Sequence, residues 1–83
     1  MNIRLRYFAS LREVLGPGQT LALPEGACVA DARAHLRALS PAHATALDPA
    51  RAVRSALNQT LCDASAVLAD GDELAFFPPV TGG

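Results

Sequence analysis

The sequence predicts an α+β fold, a mixed β-sheet with one main helix packed across it. Three observations carry that expectation. Residues 2 to 8 alternate, with Ile3, Leu5 and Tyr7 on one side and Arg4, Arg6 and Phe8 on the other, the period of a strand with one buried face. From Val29 to Leu39 the period becomes helical: Val29, Ala32, Leu36 and Leu39 recur every three or four residues and form one stripe. The last apolar run, Glu73 to Phe77, is a strand bounded by Asp70-Gly71-Asp72 and Pro78-Pro79, since glycine favours turns and proline is excluded from strand interiors.

The elements between them follow in order. Ser10-Leu11-Arg12-Glu13 fits a capping box, in which the serine hydroxyl and the glutamate carboxylate satisfy each other's backbone N–H groups. Leu11, Val14 and Leu15 give that short helix an apolar side, and Gly16-Pro17-Gly18 stops it. Gln19 to Leu23 reads as a second strand, with Leu21 and Leu23 on one face. Cys28 stands where an N-cap hydroxyl is expected and is a poor substitute. Asp31, in the first turn, offsets this by facing the positive helix end. Ser40-Pro41 closes the main helix, because the residue before proline is disfavoured in the α region. Residues 42 to 50 read as a short helix or turn. Val53 to Leu57 is a third strand, Asn58-Gln59 the tight turn of a hairpin, and Thr60 to Cys62 its return. This order suits the β-grasp arrangement, in which the first and last strands lie parallel at the centre. Arg4, Arg6 and Glu73 would then share the outer face.

Composition narrows the function. The 83 residues suit one domain, 1–83, with an extended tail from about residue 78. An apolar content of 51% and a mean hydropathy of +0.21 favour a packed globule over disorder. A net charge of −1, from seven arginines and eight acids, leaves no electrostatic footprint for nucleic acid. No membrane-length apolar run and no signal peptide are visible, so a cytoplasmic protein without membrane association is expected. Cys28 and Cys62 match no metal spacing and read as free thiols in a reducing compartment. His35 reads as a solvated helix residue, and His43 stands alone. Asp70 and Asp72 around Gly71 suit a structural turn better than a cation loop, which needs a further ladder of ligands. No catalytic constellation or phosphate-cradling loop is present.

Two features remain. Phe8 and Phe77 fall on the outer face of the two central strands, and Leu61 extends the same patch. Exposed apolar patches of this kind mark partner interfaces; the other reading is that the first short helix or the tail covers them. The sequence ends Pro78-Pro79-Val80-Thr81-Gly82-Gly83. Proline restricts the backbone and glycine keeps it slender, so this segment suits entry into a narrow site on another protein. It would carry one reactive group, the α-carboxylate of Gly83. From Pro79 to Gly83 an extended chain reaches about 17 Å at roughly 3.4 Å per residue. A loosely ordered terminus is the alternative.

The stretch Leu57-Asn58-Gln59-Thr60-Leu61, followed by Leu68-Ala69-Asp70-Gly71-Asp72-Glu73-Leu74-Ala75-Phe76-Phe77-Pro78-Pro79-Val80-Thr81-Gly82-Gly83, resembles the small subunit of molybdopterin synthase. Arg6-Tyr7-Phe8-Ala9-Ser10-Leu11-Arg12-Glu13 resembles that family's start. Cys28 and residues 42 to 52 depart from its pattern. The resemblance implies a ubiquitin-like sulfur carrier whose C-terminal glycine, Gly83 here, is adenylated and then thiocarboxylated. It implies no cofactor on the carrier itself; ATP with Mg is consumed by an E1-like adenylating enzyme. A persulfide-bearing protein supplies sulfur, and the large synthase subunit receives the tail in a heterotetramer. Sulfur then passes to cyclic pyranopterin monophosphate to form the dithiolene. Phe8, Leu61 and Phe77 are the expected interface, and Pro78, Pro79, Val80, Thr81 and Gly82 the expected arm. A thiamine-type sulfur carrier, a ubiquitin-like modifier and a plain interaction module are the alternatives. With no lysine in the chain, a modifier of this sequence forms no lysine-linked chains.

Overall fold

A computed structural model describes residues 1–79 of the chain. Among them, five strands form one mixed sheet in the order β2-β1-β5-β3-β4. Strand β1 (Asn2–Tyr7) and strand β5 (Glu73–Phe77) are the parallel central pair, aligning Arg4 with Glu73 and Tyr7 with Phe76. Strand β2 (Gly18–Ala22) runs antiparallel to β1; β3 (Arg54–Leu57) pairs antiparallel with both β5 and β4 (Thr60–Cys62). This is the β-grasp arrangement expected from the order of elements.

The alternation in β1 is realised in full: Ile3, Leu5 and Tyr7 are buried, whereas Arg4, Arg6 and Phe8 are exposed. Leu74 and Phe76 of β5 join them on the inner face, with Leu21 and Leu23 from the β2 side. Helix α2 (Val29–Arg37) closes this core with Val29, Ala32 and Leu36. Its start follows the expected compensation, for the backbone N–H of Cys28 donates to the Asp31 carboxylate at 2.9 Å. That bond, followed by one from the Cys28 side chain, holds the Asp31 carboxyl below its ordinary pKa.

Four expectations are corrected. Helix α1 (Ala9–Leu15) begins before the proposed capping box, with Phe8 at the N-cap and no side-chain capping bond. The Phe8 N–H still donates to the Phe76 carbonyl at 3.2 Å. Sheet pairing therefore runs to the helix boundary, and Ala9 turns the chain at a φ of 53°. Val14 is exposed, leaving Leu11 buried and Leu15 half-buried on the apolar side of α1. Leu39 is also exposed, because α2 ends at Arg37 and the helical period does not extend to it. Ser40-Pro41 opens a helix instead of closing one. In α3 (Pro41–Ala46), proline occupies the first turn and the Ser40 hydroxyl accepts from the His43 N–H at 3.1 Å, a favourable N-terminal pairing.

His43 is not isolated either. Its Nδ1 lies 2.8 Å from the Ser40 hydroxyl and its Nε2 3.3 Å from the Gln19 side-chain oxygen. The ring meets the edge of Tyr7 with centroids 6.5 Å apart. The Tyr7 hydroxyl has no hydrogen-bond partner among the described residues, and burial pushes its pKa up to about 12.

Two turns fix the sheet. Asn58 and Gln59 both adopt positive φ, 48° and 70°, as a two-residue hairpin turn of the mirror-image type requires. The Asn58 side chain then bonds the start of β5, accepting from the Glu73 N–H and donating to Asp72, each at 3.0 Å. In the 70–72 turn, Asp70 accepts from the Asn2 N–H at 2.6 Å and Asp72 from the Ala69 N–H at 2.8 Å. The Asp70 carboxylate thus ties the turn before β5 to β1, while that of Asp72 closes the turn itself.

Candidate functional site

Side chains alternate along each strand, so the register defines the outer face residue by residue. Across the middle of the sheet, Arg6 of β1 aligns with Ala75, Ala75 with Ala56, and Ala56 with Leu61 of β4. Phe77 aligns with Arg54. Phe8 lies one residue beyond the Tyr7–Phe76 pair and therefore beside Phe77. The three predicted interface residues thus share one face. Leu61 is three strands from Phe8, about 14 Å at the usual spacing.

Their exposures differ. Leu61 is 60% exposed and Phe8 38%, whereas Phe77 is half-buried. The two alanines between them leave the centre of the patch shallow. Arg6 is held over it, its guanidinium carbon 5.4 Å from the Phe8 ring centroid and a terminal nitrogen 3.6 Å from the Glu73 carboxylate. A cation–π contact and a half-exposed ion pair each contribute modestly, up to about 1 kcal/mol. Their combined effect is to orient Arg6 and the Phe8 ring beside one another. Arg4 and Arg6 also share this face with Arg54, giving the apolar patch a mainly basic rim.

The patch leads directly to the tail. Phe77 ends β5, and Pro78 and Pro79 follow it, both half-buried. The remaining predicted tail residues, Val80, Thr81 and Gly82, and the predicted reactive residue, Gly83, lie outside the described residues. Cys28 and Cys62 are half-buried free thiols. His35 is exposed on α2. No helix among the described residues is long and apolar enough to cross a membrane.

A β-grasp sheet whose last strand runs beneath an apolar face and into a Gly-Gly tail defines the class of small ubiquitin-like carriers. The chain belongs to the ThiS family, which it matches over residues 5–83. It is 42% identical over 81 residues to the molybdopterin synthase sulfur carrier subunit of Escherichia coli (strain K12), covering 98% of this chain and 99% of that one. It is 32% identical over 85 residues to the subunit of the same name from Mycobacterium tuberculosis, with 100% and 99% coverage. Among solved structures, SAMP1 from Haloferax volcanii superposes with a TM-score of 0.84 at 30% identity over the whole of both chains. A protein–protein complex of subunits 1 and 2 of molybdopterin-converting factor from Helicobacter pylori 26695 contains a chain matching at TM-score 0.72 and 25% identity, again over the whole of both chains.

Proposed function

We propose that this chain is the sulfur carrier subunit of a cytoplasmic molybdopterin synthase. The observation that carries the reading is the continuity of Phe8, Leu61 and Phe77 with the start of the tail. A partner seated on this sheet face lies beside the point where the chain leaves β5. The similarity to molybdopterin synthase carrier subunits and to a chain of a two-subunit complex supports a large synthase subunit as that partner.

In this proposal Gly83 carries the reacting group. A carboxylate is a poor electrophile. Its oxygen attacks the α-phosphate of ATP on an E1-like enzyme, with Mg present, and releases pyrophosphate. Sulfur from a persulfide donor protein then displaces AMP, and reduction of the remaining sulfur–sulfur bond by a thiol leaves the thiocarboxylate. That terminus delivers sulfur to cyclic pyranopterin monophosphate on the large subunit, which supplies the acid, base and cation groups. Gly82 keeps the arm slender, and Pro78 and Pro79 reduce the entropy lost when it is held in a partner. The carrier binds no cofactor of its own in this scheme.

The test is reconstitution with the activating enzyme, sulfur donor and large subunit. Intact mass should report exchange of one oxygen for sulfur on the C-terminal peptide, followed by dithiolene formation. Deleting Gly83, or extending the chain beyond it, should abolish both while leaving the melting temperature unchanged. Full activity of an unprocessed extended variant overturns the proposal. The likeness to SAMP1, described in another solved structure as small archaeal modifier protein 1, favours one second reading, transfer of the activated glycyl group to a lysine on another protein. Adducts on partner lysines, with no thiocarboxylate formed, would select it.

A further inference from the structure

On the helix side of the sheet, opposite the proposed docking face, α2 leaves a trough of about 430 Å³ against β3, β4 and the end of β5. That volume lies within the roughly 300–1,000 Å³ range of small-molecule sites. Val53, Ala30 and Ala34 contribute accessible apolar surface, Phe76 being almost wholly buried behind the lining, and half-buried Cys62 also lines it. The polar atoms of this region satisfy one another: the Cys62 thiol lies 3.6 Å from the Ser55 hydroxyl, which itself donates to the Cys62 carbonyl at 3.3 Å.

The charged groups of the lining are Arg33, Arg37, Arg54 and Asp63, and they are asymmetric in their pairing. Arg33 and Arg37 both line the trough and stand one turn apart on α2, a spacing at which like charges repel. Arg33 spends Nε and Nη2 on the carbonyls of Leu47, Asp48 and Arg51, at 2.8, 2.7 and 3.2 Å. Its Nη1 has no protein acceptor among the described residues. Arg37 makes one long bond, from Nε to the Ala44 carbonyl at 3.5 Å, leaving both terminal nitrogens without one. Asp63 is the acid of the lining, and its carboxylate accepts from the Ser65 N–H and hydroxyl instead. Burial, followed by the neighbouring Arg37, holds the Arg33 pKa below its ordinary value. Asp48 lies close enough to Arg33 to offset part of that lowering, but neither Arg33 nor Arg37 forms an ion pair among the described residues, so the trough presents an apolar surface beside guanidinium donors with unused N–H groups.

We infer that this trough binds a small amphipathic monoanion, an apolar body bearing one carboxylate, with the body against Val53, Ala30 and Ala34 and the carboxylate on Arg37 and Nη1 of Arg33. Because Phe76 points inward and Phe77 outward, such a ligand and a partner on the docking face occupy opposite sides of the sheet. Both can be bound at once.

The test is nuclear magnetic resonance titration of the full isotope-labelled chain with octanoate, octylammonium and octanol. Octanoate is expected to give saturable shifts at the Arg33 and Arg37 side-chain N–H groups and at the amides of Ala34, Cys62 and Phe76. Octylammonium should give none, and octanol should bind at least tenfold more weakly than octanoate. Arg37→Gln should weaken octanoate at least tenfold without changing the melting temperature. Ala34→Phe, at an exposed position of α2, should fill the trough and abolish the shifts; if it fails to fold, Ala30→Leu on the same wall serves instead. Equal response to octylammonium, shifts centred on Phe8, Leu61 and Phe77, or no saturable response to millimolar octanoate each overturns the inference.

Discussion

Phe76 and Phe77 are adjacent, and truncating each to alanine separates folding from docking. Phe76 is 1% exposed in the core, whereas Phe77 is half-buried on the outer face. Phe76→Ala removes a fully packed ring and should cost roughly 3–5 kcal/mol. A chain of 83 residues has a total stability of about 4–12 kcal/mol at typical values per residue. The variant should therefore lose at least about 12 °C of melting temperature, using about 4 °C per kcal/mol as the smaller sensitivity for a domain of this size. Phe77→Ala uncovers less buried area and leaves no enclosed cavity, so about 1 kcal/mol is expected. Its larger effect should fall on association with the large subunit, where loss of an aromatic anchor costs about 2 kcal/mol or more, roughly thirtyfold in affinity. Urea denaturation followed by circular dichroism measures the first effect, and calorimetric titration with the large subunit the second. If Phe77→Ala unfolds the isolated carrier while Phe76→Ala melts normally, the assignment of β5 side chains to the two faces is refuted.

Three further outcomes are expected. Gly82→Val should leave the melting temperature unchanged while slowing ATP–pyrophosphate exchange, sulfur delivery from a synthetic thiocarboxylate, or both; normal rates in both assays would remove the steric argument for a slender arm. Gly18→Ala should destabilise by about 1–3 kcal/mol through overpacking, because an added Cβ would lie 2.1 Å from the Leu5 carbonyl oxygen; an unchanged thermal melt would refute that contact. Asp31→Asn should weaken the start of α2 in a pH-dependent way. The carboxyl has a lowered pKa in the folded chain, so its contribution is present above about pH 4 and disappears as pH falls through the lowered folded value. Melting curves of wild type and variant should converge in acid, and a constant difference across that range would refute the charged-cap account.

The parts of the fold legible in sequence are those in which local pattern and tertiary contact agree. Alternation in residues 2 to 8 becomes the two faces of the sheet, and Asn58-Gln59 becomes the hairpin turn, whereas in the final strand Ala75 is buried along with Leu74 and Phe76 and only the register separates the faces. For the candidate site, strand phase anticipates that Phe8, Leu61 and Phe77 share one face, although packing half-covers Phe77. Helix ends were less legible. Ser40-Pro41 is compatible with either a stop or a start, since serine can cap and proline can occupy the first turn. At Ser10, sheet pairing through Phe8 displaces the helix start that a local capping box predicts. The His43 environment depends on Gln19, 24 residues away, and no short-range spacing reveals it. Gly18 shows the same limit. Its turn-like setting in Gly16-Pro17-Gly18 is visible, but its close approach to the backbone of Leu5 exists only once β1 and β2 pair.

The sheet order makes β5 the strand that joins two otherwise separate antiparallel strand pairs. Without it, β1 has β2 and β3 has β4, but neither pair touches the other through the sheet. Two-stranded hairpins are at best marginally stable alone, so a chain interrupted before Glu73 lacks the contact that unites the halves. During synthesis, the strand that completes the architecture is also the one that emerges just ahead of the proposed sulfur-bearing arm. A truncated product would lose the arm together with the assembled sheet that displays its docking face. An interruption before Glu73 would thus leave Phe8 on one strand pair and Leu61 on the other, with no shared sheet to hold them on one face.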